Sequence, residues 1–130
     1  GATQLGFSAL NLVTTGTING AIKTEKDDDT LAADQCYGTF HWYSGGAETI
    51  TLPAAVVGMN VCFYASDATI KHIDPNGTDT IVLGATALAA GYQIQNNPAA
   101  IGDFICLVSF TANQWTSLGK GGTWETHGAD

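Results

Sequence analysis

The stretch HIDPNGTDTIVL, His72–Leu83, admits three readings, and the choice among them decides whether the chain holds a chemical site there or a sharp corner between strands. Asp74, Asn76 and Asp79 are oxygen ligands spaced loosely like a calcium loop. Asn76-Gly77-Thr78 is a sequon for N-glycosylation. Pro75-Asn76-Gly77 is a turn between two β-like runs. The calcium reading fails on ligand number, because a Ca2+ ion takes about six to eight oxygens and one turn supplies only part of that set. The sequon matters only in a glycosylating secretory route, which no other feature signals. The turn needs nothing further, since proline presets φ and Asn-Gly accepts left-handed geometry. The stretch is expected to be a metal-free corner between two strands.

Working outward, strand signals recur on both sides of that corner. They fall at about Thr17–Lys23, Cys36–Tyr43, Glu48–Leu52, Asn60–Ala65, Ala68–Ile73, Thr80–Leu83, Tyr92–Gln95, Phe104–Thr111 and Gln114–Leu118. Each run is short, rich in β-branched or aromatic residues, and bounded by Gly, Pro, Asn or Asp. The Ala-rich pieces LPAAVVG and GATALAAG fall short of the ~12 residues a credible isolated helix needs. Such spacing predicts a single all-β domain, an antiparallel β-sandwich or jelly-roll-like sheet. SGGA at Ser44–Ala47 and Ala112-Asn113 are expected to close hairpins. TITLPAAVVGMNVCFY from Thr49 and TIVLGATALAAGYQIQ from Thr80 echo one another, as two similar strand–loop–strand units would.

The division expected is a connector or edge-strand segment at 1–23 and the β-sandwich-like domain at 24–130. The N-terminal segment is uncharged up to Lys23, and KTEKDDDTLAADQ after it reads as a solvated loop. The chain opens on Gly1 with no basic, apolar leader, so processing or excision from something longer is expected.

Charge narrows the function. Four Lys plus Arg stand against twelve Asp plus Glu, a net charge of −8 in 130 residues. No basic patch exists to replace counterions on nucleic acid, and nothing would hold the chain to an anionic membrane surface. No run approaches the ~20 apolar residues that span a bilayer.

Candidate chemistry is sparse, and no cofactor, metal or catalytic set is expected. Asp27-Asp28-Asp29 lacks the alternating ligands of a calcium loop and reads as solvated surface. LGKGGT at Leu118–Thr123 lacks the spacing and following helix of a phosphate loop. Cys36 and His41 lie on opposite faces of one expected strand, and no serine stands in a nucleophile elbow. The three cysteines, Cys36, Cys62 and Cys106, have no CxxC pair. A disulfide between two of them stays open, since spacing does not say which would pair, and three free thiols are the favoured reading because the spacing is not that of a disulfide scaffold. Cys106, in phase with Phe104, Val108 and Phe110, reads as a small buried hydrophobe.

The aromatics carry more. Trp42, Tyr43, Trp115 and Trp124 either fill the core or an interface, or stand on a sheet as a platform for sugar rings. Phe40, Trp42, Tyr64, Phe110, Trp115 and Trp124 are together more bulk than a thin sandwich encloses, which predicts apolar burial against sister chains.

The segments AETITLPAAVVGMNVCFY, HIDPNGTDTIVLGATALAAGYQI and IGDFICLVSFTANQWTSLGKGGTW resemble a module of tailed-phage and prophage virion proteins. Its frame is TITLPAAxxG, then IDPNGxDTIxL, then GDxxxLxxxxxxxW and a terminal GxW. The resemblance covers Asp29 to Trp124 and departs from the frame at Cys36, Cys62 and Cys106. It implies a structural part of a virus particle, the distal domain of a fibre, spike or head-associated appendage, without catalytic residues. Such parts are commonly homotrimers at the virion surface, outside the cell, and host-surface glycans are their expected contacts. Two other classes stay open: a carbohydrate-binding module, and an extracellular filament subunit whose N-terminal segment pairs with a neighbour's sheet edge.

Overall fold

The corner at Asp74–Asp79 does turn the chain, and it turns it from one sheet into another. Asn76 O accepts the N–H of Asp79 at 2.8 Å, and Gly77 sits at φ 53°, where a side chain would be strained. Asp79 is buried and its carboxylate accepts the N–H of Ala55 at 2.9 Å. One member of the apparent calcium set is thus committed to the backbone.

The structure, a computed structural model, describes residues 21–129. The expected strand at Thr17–Lys23 and the 1–23 segment therefore lie almost wholly outside the described residues. In chain order the described strands are β1 (Ile22–Glu25), β2 (Asp29–Thr30), β3 (Tyr37–Tyr43), β4 (Thr49–Thr51), β5 (Asn60–Ala65) and β6 (His72–Asp74). They continue as β7 (Thr80–Leu83), β8 (Thr86–Ala87), β9 (Gln93–Asn96), β10 (Phe104–Thr111), β11 (Gln114–Gly121) and β12 (Trp124–Gly128). Among the described residues a 3₁₀ turn, Ala33–Gln35, precedes β3.

The strands form two packed mixed sheets, as an all-β sandwich of short strands should. One sheet has the order β1-β3-β5-β10-β11-β7-β8, the other β12-β9-β6-β4-β2. The strands are not all antiparallel. Odd strands β1, β3 and β5 run parallel in the first sheet, and even strands β2, β4 and β6 run parallel in the second. The chain therefore coils between the layers for three turns before β9 and β10 reverse direction. SGGA at Ser44–Ala47 joins β3 to β4 across layers, so it is a corner and not a hairpin. Ala112-Asn113 does close the β10–β11 hairpin, with Asn113 at φ 64°. The two echoing segments both cross between the sheets, the one from Thr49 outward to β5 and the one from Thr80 back to β9.

The coil explains how the core is built. Ile50, Ile73 and Ile94 align across β4, β6 and β9 and are fully buried. Facing them are Val61, Phe63, Ile105, Leu107, Ile81 and Trp115 from the other sheet. Going toward the β1 end, the inward positions lose apolar character in register. Phe63 is matched by His41 and then Lys23, and Ala65 by Tyr43 and then Glu25. Lys23 Nζ bridges Glu25 at 2.7 Å and Asp29 at 2.5 Å, and His41 Nδ1 meets Glu25 Oε1 at 2.8 Å. Inward-pointing charge at an edge strand blunts its use as a template for further strands. The first turn of the coil is an ionic cap.

The corners are pinned by the same stacking. Ser44 N–H donates to Glu25 O at 2.8 Å, and Ser66 N–H to Tyr43 O at 3.0 Å. Lys71 is fully buried, and its ammonium donates to Gly45 O at 2.6 Å, Asp67 Oδ1 at 2.7 Å and Thr69 Oγ1 at 2.5 Å. It also stands 5.0 Å from the centre of the Tyr43 ring.

Candidate functional site

Alternation along β10 sets the character of the surface. Ile105, Leu107 and Ser109 point into the core, while Phe104 and Phe110 are exposed and Cys106 and Val108 half-buried. This is the reverse of the expected phase. Both interleaved sets are mostly apolar, so hydrophobicity could not separate them. The buried Ser109 settles its own polarity by donating to Thr111 O at 2.9 Å.

Cys106 is also not a free thiol. It lies directly opposite Cys62 in the antiparallel β5–β10 pair, with Cα atoms 4.1 Å apart, and the two form a disulfide. Such close approach is typical of non-hydrogen-bonded antiparallel pairs, whose side chains lie nearer than their neighbours'. Sequence spacing could not reveal this, because the bond depends on register between strands distant along the chain. Cys36 is the free cysteine among the described residues. Burial, with the Asp34 charge, pushes its thiol up to about 11, which leaves it unreactive.

Two rows of outward side chains cross the seven-stranded sheet in register. The first runs Ile22, Phe40, Cys62, Cys106, Gly119, and the second Thr24, Trp42, Tyr64, Phe104, Gly121. Trp42 and Tyr64 stack with ring centres 5.1 Å apart. Phe104 leans over Gly121 so closely that a Cβ there would lie 2.5 Å from its ring. A shallow groove of about 320 Å³ opens between Phe40, Tyr64 and Phe104 with the disulfide along its floor, and its lining is apolar. No outward position on β1, β3, β5 or β10 carries a charge.

The four aromatics expected to fill the core or a surface role are divided. Trp42 is 48% exposed and belongs to this face. Tyr43, Trp115 and Trp124 are 1%, 0% and 7% exposed, so they are core residues and take no part in a surface platform on this chain. Tyr43 donates its hydroxyl to Glu48 O, and burial foremost drives its phenol far above the usual tyrosine range. Trp124 donates to Gly121 O at 3.0 Å. Phe40, Tyr64 and Phe110, noted in the sequence as surplus bulk, are indeed exposed, and Phe104 joins them.

The opposite sheet presents a polar face. Thr30, Thr49 and Thr51 with Asp28 and Asp29 line a shallow depression there. Asp28 accepts the N–H of Thr49 at 2.8 Å, and Asp29 is held below the usual carboxylate range chiefly by Lys23. The acidic run is therefore partly engaged in the fold rather than simply solvated. Among the described residues no three His, Cys, Asp or Glu side chains converge as metal ligands. His72 and His127 lie with ring centres 4.3 Å apart. Burial first, and then the His127 charge, lowers the pKa of His72.

Neither a protein family nor a curated protein sequence matches the chain.

Proposed function

We propose that this chain is a non-enzymatic structural domain of a virion appendage, a tail fibre, spike or head-associated part, assembled as a homotrimer. The observation that carries the reading is the uncharged aromatic face of the seven-stranded sheet. Monomers rarely leave so large a contiguous apolar surface to water, and such patches mark association sites. The two-layer coil with a resemblance to virion modules from Asp29 to Trp124 supports the same reading. A disulfide half-open to solvent suits an oxidising, extracellular setting.

A carbohydrate-binding module is the alternative, and the stacked Trp42–Tyr64 pair is what favours it. Sugar sites also need polar side chains to engage hydroxyls, and the groove beside this pair has an apolar lining. Contact with a host-surface glycan is therefore secondary to assembly in this proposal. The test is mass in solution by multi-angle light scattering. A trimer is expected. A chain that stays monomeric at high micromolar concentration overturns the proposal.

A further inference from the structure

We infer that the copies meet through the outer face of the seven-stranded sheet, with the Cys62–Cys106 disulfide at the centre of the contact. This rests on the self-association proposed above and says where that association occurs. The partners are the same faces of the two neighbouring copies, the three faces turning toward one shared axis, and three features select this arrangement.

The first is area. A half-exposed aromatic side chain keeps roughly 100 Å² in contact with water. Phe40, Trp42, Tyr64, Phe104 and Phe110, with the largely exposed Ile22, therefore offer roughly 600 Å². A standard interface takes roughly 800 Å² from each partner. The face alone supplies most of one side.

The second is charge. A chain of net charge −8 repels its own copies wherever its carboxylates face each other. Acidic residues sit at the corners and on the far side, at Asp28, Asp29, Glu48 and Asp67, whereas the outward positions of β1, β3, β5 and β10 are neutral. This is the surface on which a like-charged copy meets no like charge. A basic partner would find no carboxylate here to pair with.

The third is rigidity. The disulfide fastens β5 to β10 in the middle of the face, and Phe104 is seated on Gly121 beside it. Side chains already fixed before contact lose less conformational freedom on association.

The test compares Phe40→Asp and Phe104→Asp with Tyr92→Asp, an exposed position just before β9 of the other sheet. Each variant is first shown by circular dichroism to keep the β spectrum, and mass is then read by light scattering. The two face variants should fall from the oligomeric to the single-chain mass, while Tyr92→Asp should keep the oligomer. A second readout is reduction of the disulfide by a phosphine, which should be slow in the wild-type oligomer and fast in the monomeric face variants. If the wild-type protein is oligomeric and both face variants remain so, this placement of the contact is wrong while self-association stands. A monomeric wild-type protein overturns both.

Discussion

At the scale of single residues, the cations do the most unusual work. Lys71 sits where water cannot reach its ammonium, and four oxygens take the place of hydration. Burial alone would raise the Asp67 carboxyl. Hydrogen bonds from Lys71, from Thr69 and from the backbone N–H groups of Gly45 and Thr69 outweigh it and hold Asp67 well below the usual carboxylate range. Lys71→Met keeps the aliphatic stem but strands these acceptors, and should cost about 3 kcal/mol in urea unfolding. That is the low end for breaking a buried pair, because Asp67 remains 38% exposed. A loss too small to resolve would show that the corner does not depend on the ammonium. His72 gives a pH signature. Its folded pKa lies below the ordinary value of 6.5, so the unfolded chain binds the proton more readily and acidification through that range favours unfolding. Thermal stability should therefore fall as pH drops from 7.5 toward 5, and His127→Gln should reduce the slope by removing the facing charge. Asp28 opposes the effect but is outweighed by burial and His127. An unchanged slope in His127→Gln would place the pH dependence elsewhere.

At the scale of elements, the disulfide joins the forward coil to the strand that reverses it. Its cysteines are 44 positions apart, and closing a loop of that size contributes roughly 4 kcal/mol by restricting the unfolded chain. A Cys62→Ser, Cys106→Ser double variant should unfold at correspondingly lower denaturant while keeping its β spectrum; an unchanged midpoint would contradict the bond. The strands legible in the sequence are those long enough to show composition and boundaries together: Asn60–Ala65, Thr80–Leu83 and Phe104–Thr111 coincide to the residue with their runs in the sequence. β2 and β8 have two residues each, too few for any pattern, and β12 was hidden behind the Gly121-Gly122 turn. Parallel coiling was invisible for a related reason. Paired glycines at Gly45-Gly46 permit a hairpin and a layer-crossing corner equally well, and only the stacking of Ser44 on Glu25 and Ser66 on Tyr43 separates the two. The aromatic face was half legible. Surplus bulk at Phe40, Trp42, Tyr64 and Phe110 is evident in the sequence, but the phase expected for FICLVSF, with Cys106 buried alongside Phe104, Val108 and Phe110, is the reverse of the one that pairing with β5 and β11 sets.

At the scale of the whole molecule, the two faces and the two ends have different tasks. The ionic turn at Lys23, Glu25 and His41 discourages further strands from adding at β1, the outermost strand of its sheet among the described residues. The polar threonine and acid face keeps one side wet, and the aromatic face asks to be covered. In the proposed assembly other copies cover it. Tryptophan emission tests this directly, because Trp115 and Trp124 are enclosed within the chain and Trp42 is shielded only if the face is. Acrylamide quenching of the wild-type protein at high micromolar concentration should reveal no readily quenched component. A component carrying about one tryptophan's share of the emission, quenched at the rate of a solvent-exposed indole, would mean that Trp42 is open to water and that the face is not where the copies meet.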